Sequence, residues 1–245
     1  MMGDWSYKLL SIPAVLIAIT IHEYAHGYAA WKLGDPTAKY SGRLSLNPLH
    51  HLHPIGALMM LLVGFGWAKP VPVNPRYFKH PRKGMAIVSI AGPFSNIIMA
   101  FLSALLYAAL LPMLTKLVYF TGNQSLAIAA LQFLYISHIL NLSFALFNLI
   151  PLPPLDGSKL LFLALPQKYY HRIMQYERQI SLFFVIWLLL GSRVAEMLLS
   201  IPIVVNSPIL NFVAKCLSLT GWLSSAVNFL SDIMFKFLAL FPFLS

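Results

Sequence analysis

Long apolar runs separated by short polar loops dominate the chain. Residues 9–31 are apolar except for one polar cluster, and a helix of that length crosses about 30 Å of hydrocarbon. Residues 84–115 contain no Asp, Glu, Lys or Arg and predict a second span. Residues 126–150 predict a third. The pattern therefore predicts membrane-crossing helices.

The remaining sequence is less regular. Residues 55–68 are uncharged but short for a span, which suits a re-entrant segment. The prolines within residues 69–74 favour an extended backbone. Further apolar sequence follows over residues 179–245 and predicts C-terminal helices. We therefore expect an all-α polytopic membrane protein with about five to six transmembrane helices and a re-entrant or extended segment around 55–78.

Composition supports this fold class. The chain is 59% hydrophobic and only 10% charged, whereas an ordinary soluble domain is about 25% charged. This excludes a water-soluble globular enzyme, and a single cysteine excludes a disulfide-stapled domain. The net charge of +10 lies in short loops between apolar runs, so it indicates a lipid bilayer rather than nucleic acid as the partner. We expect residues 1–245 to form one transmembrane domain.

Loop charge predicts the orientation. Basic residues concentrate in loops 32–54, 69–83 and 159–178. The positive-inside rule places these loops in the cytoplasm and the N-terminus outside. The polar residues 22–26 and 151–157 then lie at one depth, toward the cytoplasmic side.

The polar cluster in the first span reads His22-Glu23-Tyr24-Ala25-His26. Histidines four apart on a helix share one face and are close enough to bind one metal ion. Glu23 between them is placed to act as a general base, as in the HExxH motif of zinc peptidases. The alternative is a neutral Glu23 and histidines that only form hydrogen bonds. A metal site is favoured because ionisable residues inside a span need a partner.

Asp156 is the best third ligand in the sequence. An open catalytic zinc site takes three protein ligands, such as two histidines and a carboxylate. Asp156 follows the run Asn148–Leu155, whose prolines unwind a helix and allow the carboxylate to turn inward. The alternative role is a helix N-cap before Gly157.

Four ordered motifs carry a family resemblance. HEYAH at 22–26 and NLIPLPPLDG at 148–157 resemble the site-2 protease family of intramembrane zinc metalloproteases. GWAKPVPVN at 66–74 and GPFSN at 92–96 are also similar to that family. The resemblance covers about residues 10–165 and points to a compact member without a PDZ or CBS domain.

The resemblance implies specific site residues. It implies one Zn2+ per chain bound by His22, His26 and Asp156, with Glu23 as the catalytic base. Asn148 matches a family asparagine that helps bind the substrate or the oxyanion, and Asn96 matches a second intramembrane asparagine. For substrate binding we predict Asn96 together with the extended stretch formed by Lys69, Pro70, Val71, Pro72, Val73 and Asn74.

Two polar features allow more than one interpretation. The extended stretch favours pairing with an unwound substrate as an added strand, although an ordinary cytoplasmic loop is the alternative. His50, His51 and His53 form either a second metal patch or, as we favour, a set of solvated interfacial histidines. His53 also stands where close relatives are expected to have an acidic residue.

The function predicted is therefore an intramembrane zinc endopeptidase acting on transmembrane protein substrates. A metal-binding transporter is the first alternative, but its ligands would be distributed along several spans. A non-catalytic scaffold that binds transmembrane helices is the second, and the intact Glu23 argues against it. The setting implied by the resemblance is a bacterial plasma membrane. The sequence indicates no particular oligomeric state.

Overall fold

The computed structural model describes residues 2–56, 68–121, 124–201, 207, 210 and 218–241. Its regular secondary structure is helical, which confirms the all-α prediction. Short 3-10 turns at Pro48–His50 and Pro75–Tyr77 flank the loop region. The helices are α1 (Met2–Lys32), α2 (Thr37–Tyr40), α3 (Pro81–Thr121), α4 (Ser125–Asn148), α5 (Gly157–Ala164), α6 (Gln167–Gln175), α7 (Glu177–Leu199) and α8 (Leu219–Leu238).

Within the described residues, three helical segments are long and apolar enough to cross a membrane. They are Tyr7–Lys32, Pro81–Tyr119 and Ser125–Asn148. A fourth crossing arises if α6 and α7, which meet at a bend of 61°, act as one span. The polytopic prediction is thus confirmed, whereas the proposed re-entrant part, 57–67, lies outside the described residues.

Helices α1, α3 and α4 form the core of the protein and pack against one another. Their contacts are built on small side chains: Ala18, Ala100, Ala104 and Ala145 are fully buried. Small residues allow membrane helices to approach closely, because no bulky side chain separates the backbones. This close approach brings the polar face of α1 next to α3 and α4.

The ends of the core helices follow ordinary stop and start rules. Gly34 adopts a φ of 103° just after α1, a left-handed conformation that favours glycine and ends a helix. α3 begins at Pro81, where the missing N–H costs nothing because the first helical N–H groups have no partner inside the helix. Parts of the described loop between these ends, including Thr37–Tyr40, Pro48–His50 and Val71, contact α1.

Helix α8 is attached to the core by a buried histidine. His138 of α4 is fully buried, and its Nδ1 donates to the Ala100 carbonyl at 2.9 Å. Its Nε2 lies 2.9 Å from the Ser231 hydroxyl of α8. His138 therefore joins three helices as a packing contact.

Candidate metal centre

A cavity of about 560 Å³ opens beside α1. Its polar wall carries His22, Glu23 and His26 from α1 together with Asp156. The facing walls are formed by α4, α7 and the segment 68–73. The i, i+4 spacing on α1 is what directs both imidazoles to the same wall.

Three potential ligand atoms converge in this cavity. The Nε2 atoms of His22 and His26 lie 3.0 and 2.9 Å from Asp156 Oδ2, and 3.0 Å from each other. All three residues are buried, and their side chains are about a tenth exposed. Among the described residues this is the group of histidine, cysteine and acidic side chains that is arranged to hold a metal ion.

The outer nitrogens of both histidines face oxygen acceptors. His26 Nδ1 donates to the Val88 carbonyl at 2.7 Å, and His22 Nδ1 lies 2.5 Å from Asn96 Oδ1. A neutral imidazole that donates from Nδ1 has a lone pair on Nε2. Two such lone pairs and a carboxylate oxygen at 3 Å would repel one another unless a metal ion lies between them or one Nε2 carries a proton. The donor set, two imidazoles and a carboxylate, is the one that suits a catalytic zinc.

A glycine on the neighbouring helix makes room for the two rings. A Cβ added at Gly92 of α3 would lie 2.5 Å from His26 Nε2 and 2.7 Å from His22 Cε1. Real Cβ atoms essentially never approach that closely. Gly92 is therefore part of the cradle around the centre, and its role is space rather than backbone flexibility.

Asp156 reaches the centre because the chain turns sharply after α4. Its side chain makes no capping hydrogen bond to α5, although it stands at the N-cap position, and instead faces the two histidines. The turn needs Gly157, since a Cβ there would lie 2.4 Å from the carbonyl oxygens of Leu149 and Ile150. The N-cap alternative is thus not what the geometry favours.

Glu23 is held by the backbone of the segment 68–74, which is not helical. The Val71 N–H donates to Glu23 Oε2 at 3.0 Å. This contact orients the carboxylate along the cavity wall next to the ligand atoms. The segment therefore forms one side of the cavity and also positions the acid.

Buried charges anchor that segment at both ends. At the first end, the Arg43 guanidinium donates to the carbonyls of His50 and Lys69, and the Lys69 N–H donates to the His51 carbonyl at 2.8 Å. Burial lowers the pKa of Arg43 from its ordinary value, and the negative charge of Glu23 counteracts part of that shift. At the other end, Asp35 is fully buried and accepts the Asn74 N–H at 2.6 Å.

The anchor at Asp35 can be tested by an isosteric change. Asp35 Oδ1 accepts from the Thr37 N–H at 2.9 Å while Oδ2 accepts from Asn74. In Asp35→Asn an amide NH2 must face one of these donors, and we expect a loss of about 1–3 kcal/mol in the free energy of unfolding. Thermal unfolding in detergent measures the loss, and faster trypsin cleavage at the exposed Arg76 reports release of the segment.

The matched control is Asp232→Asn. Asp232 is an exposed acid on α8 that pairs with Lys236 at 2.6 Å, so its neutralisation should change stability by less than about 0.5 kcal/mol. Equal unfolding temperatures and cleavage rates for wild type and Asp35→Asn would contradict the anchoring role.

The predicted substrate-binding residues divide into two groups. Pro70, Val71 and Val73 line the cavity, as does Asn148, whose Nδ2 donates to the Phe144 carbonyl at 3.0 Å. Lys69, Pro72, Asn74 and Asn96 lie outside the described lining. Asn96 is fully buried behind His22, so its geometry favours contact with the histidine over contact with a substrate.

The loop histidines do not form a cluster in the structure. His51 is fully buried, contrary to the solvated state we expected, and its Nε2 donates to the Ser45 carbonyl at 2.7 Å. His50 Nδ1 donates to the Gly42 carbonyl at 3.0 Å. Burial of His51 follows from the same fold of the loop that Arg43 stabilises.

Sequence reasoning missed three supporting residues, Asp35, Arg43 and Asn141. A charged residue within a loop is expected to be exposed, so nothing in the sequence indicated that Asp35 and Arg43 are buried. Asn141 did carry one, since a polar side chain in a predicted span needs a hydrogen-bond partner. The structure gives it that partner in Asn96, at 2.8 Å.

Comparison with known proteins places the chain in a family. The sequence profile of Peptidase family M50 matches residues 11–192. "Putative zinc metalloprotease YwhC" of Bacillus subtilis is 47% identical over 150 residues, which is 60% of this chain and 65% of that protein. "Putative zinc metalloprotease Rip2" of Mycolicibacterium smegmatis is 31% identical over 154 residues, 61% of this chain and 54% of that protein.

The chain thus spans a little over half to just under two thirds of the length of these relatives. A Mycobacterium tuberculosis protein of the same name as the second is also 31% identical, over 155 residues, 61% of this chain and 54% of that protein. No solved structure gives a significant match. The profile match, which covers most of the chain and includes all three ligand residues, shows the family. The chain belongs to Peptidase family M50, the site-2 protease family.

Proposed function

We propose that this protein is an intramembrane zinc endopeptidase that hydrolyses peptide bonds in or near transmembrane segments of membrane proteins. The observation that carries the proposal is the convergence of two imidazole nitrogens and a carboxylate oxygen within 3.0 Å, beside Glu23, in a cavity between membrane helices. The names of the relatives support the same chemistry.

His22, His26 and Asp156 would hold one Zn2+ per chain. When bound, zinc supplies Lewis-acid polarisation of a peptide carbonyl and activation of water. Glu23 lies on the same wall and acts as the general base: its carboxylate takes a proton from the attacking water and later delivers it to the nitrogen of the leaving amine. The Val71 N–H holds Glu23 Oε2, so the carboxylate does not have to be ordered at the moment of reaction.

The other walls suit an apolar peptide. Phe144 and Phe147 of α4 and Phe184, Val185 and Leu188 of α7 line the cavity. An unwound transmembrane segment would lie among these side chains and beside Pro70–Val73. Asn148, at the end of α4 in the same lining, is placed to bind the substrate backbone or the developing oxyanion.

We also propose the setting and orientation. The bacterial relatives support a bacterial plasma membrane. The basic loops around the centre support a site near the cytoplasmic face and an N-terminus outside. The protein would then cleave substrates at the cytoplasmic end of their spans.

The test is a comparison of wild type and Glu23→Gln expressed in the membranes of a bacterial host. Glutamine keeps the size of the side chain but cannot accept a proton as a base, so cleavage should fall by about 10²- to 10⁴-fold. Mass spectrometry of new protein N-termini measures it: we expect termini within or next to transmembrane segments in the wild type that are missing with Glu23→Gln.

Zinc content shows whether Glu23→Gln has lost only the general base or has also lost the metal site. Glu23→Gln should retain wild-type zinc by elemental analysis, because Glu23 is not a ligand in this arrangement. The same new termini at the same abundance in both proteins would overturn the proposal, and so would a wild type that binds no zinc.

A further inference from the structure

Two buried asparagines lie behind the metal centre, on the far side of His22 from the cavity. Asn96 of α3 is 0% exposed and Asn141 of α4 is 1% exposed. The described cavity lining contains neither. Their amides must therefore find partners within the protein.

The two amides form one continuous chain of hydrogen bonds. Asn141 Nδ2 donates to the Ser137 carbonyl at 2.8 Å, and Asn96 Nδ2 donates to Asn141 Oδ1 at 2.8 Å. Asn96 Nδ2 also lies 3.2 Å from the Ala18 carbonyl. Asn96 Oδ1 lies 2.5 Å from His22 Nδ1. The chain thus runs from a backbone carbonyl of α4 to a predicted metal ligand.

The direction of every bond in this chain follows from its first acceptor. A backbone carbonyl only accepts, so Asn141 must turn its NH2 to Ser137 and its oxygen to Asn96. That oxygen also only accepts, so Asn96 must turn its NH2 to Asn141 and Ala18, and its oxygen to His22. The remaining bond requires a proton on His22 Nδ1, which leaves the lone pair on Nε2.

We propose that Asn141 and Asn96 are positioning residues that fix His22 in the Nδ1–H tautomer and so present Nε2 to the metal. The inference rests on the proposed metal site. Hydrogen bonds to the outer nitrogen of a ligating histidine orient the ring and typically change metal affinity or activity by 10- to 100-fold.

His26 shows why His22 needs this arrangement. The Val88 carbonyl receives the proton of His26 Nδ1 directly, and a backbone carbonyl cannot rotate to become a donor. The partner of His22 is a side-chain amide, which is able to turn over and offer NH2 instead of oxygen. The hydrogen bond to Asn141 prevents this reversal of the Asn96 amide. The longer hydrogen bond from Asn96 to the Ala18 carbonyl is a second restraint.

The test measures zinc affinity of purified full-length protein in detergent by competition with a zinc-binding dye. Asn96→Leu removes the acceptor of His22 Nδ1 and should weaken zinc binding about 10- to 100-fold. Asn141→Leu keeps that acceptor and the bond to Ala18, so its loss should be smaller. Asn96→Asp keeps an oxygen toward His22 while it loses both donated bonds, and it should stay within a few-fold of wild type.

The Asn96→Asp variant distinguishes a role in positioning His22 from a role in helix packing. A role in helix packing alone predicts equal losses for Asn96→Leu and Asn96→Asp, because both break the bonds to Asn141 and Ala18. The visible spectrum of bound Co2+ gives a second readout: it should match wild type in Asn96→Asp and change in Asn96→Leu. Ser103→Ala is the control, since this buried hydroxyl of α3 donates to the Met99 carbonyl of its own helix and, among the described residues, contacts neither asparagine.

Each outcome decides between the proposals. Unchanged zinc affinity in Asn96→Leu would overturn the positioning role, and so would equal losses of affinity in the two Asn96 variants. In either case, zinc binding by the wild type would leave the proposed function standing. A wild type that binds no zinc would overturn the proposed function and the positioning role with it.

Discussion

Asp156→Ala is expected to purify without zinc, whereas wild type should bind about one zinc per chain. Asp156 Oδ2 is the one ligand atom of the predicted set that α1 does not supply. Zinc binding by the four protein ligands of a zinc-finger peptide is worth about 10–16 kcal/mol, so one ligand accounts for roughly 2.5–4 kcal/mol. That share corresponds to about 10²- to 10³-fold in affinity. Loss of cleavage should follow loss of the metal.

Elemental analysis after removal of free metal makes the measurement. His22→Ala should behave in the same way, since its Nε2 lies 3.0 Å from Asp156 Oδ2. Asp232→Ala on α8 is the control because this exposed acid pairs only with Lys236 in the salt bridges described. Wild-type zinc in Asp156→Ala would mean that another group completes the site.

Gly92→Ala is expected to abolish zinc binding although it adds only one methyl group to the protein. That methyl group would lie 2.5 Å from His26 Nε2 and 2.7 Å from His22 Cε1, so both rings must move together. A packed site between α1 and α3 has little room for such a movement, and inserted methyl groups cost about 1–3 kcal/mol even in ordinary cores. Because two ligands are displaced at once, we expect an effect on zinc affinity at least as large as that of Asp156→Ala.

Gly27→Ala gives the matched comparison. It adds the same methyl group to the residue next to His26, but its nearest neighbours lie at 3.4 Å, an ordinary contact. Zinc content and unfolding temperature in detergent should therefore remain close to wild type. Full zinc occupancy in Gly92→Ala would show that the rings sit elsewhere when the metal is bound.

The parts of the site that follow local rules could be predicted from the sequence. The i, i+4 spacing of His22 and His26 places both side chains on one face of any helix, so no tertiary information is needed. The prolines before Asp156 predict a break after α4, and the structure places the carboxylate beside the histidines. The three core helices are predicted for the same reason: apolar length is a local property.

The supporting contacts could not be predicted because they join residues far apart in the chain. Asp35 meets the backbone of Asn74, and Asn96 meets both His22 and Asn141, across different helices. No period or composition relates such partners. Asn96 shows the consequence: its motif suggested a substrate contact, whereas its buried position on α3 directs it to a histidine.

The order in which the ligands are synthesised follows from their spacing. His22 and His26 lie on α1, which is synthesised before α3 and α4, while Asp156 is made 130 residues after His26. Two imidazoles alone are an incomplete ligand set for a catalytic zinc. The metal centre can therefore form only after α1, α3 and α4 have been made and the following turn has docked. The candidate ligand set of a nascent chain is thus incomplete while α1, α3 and α4 are being made.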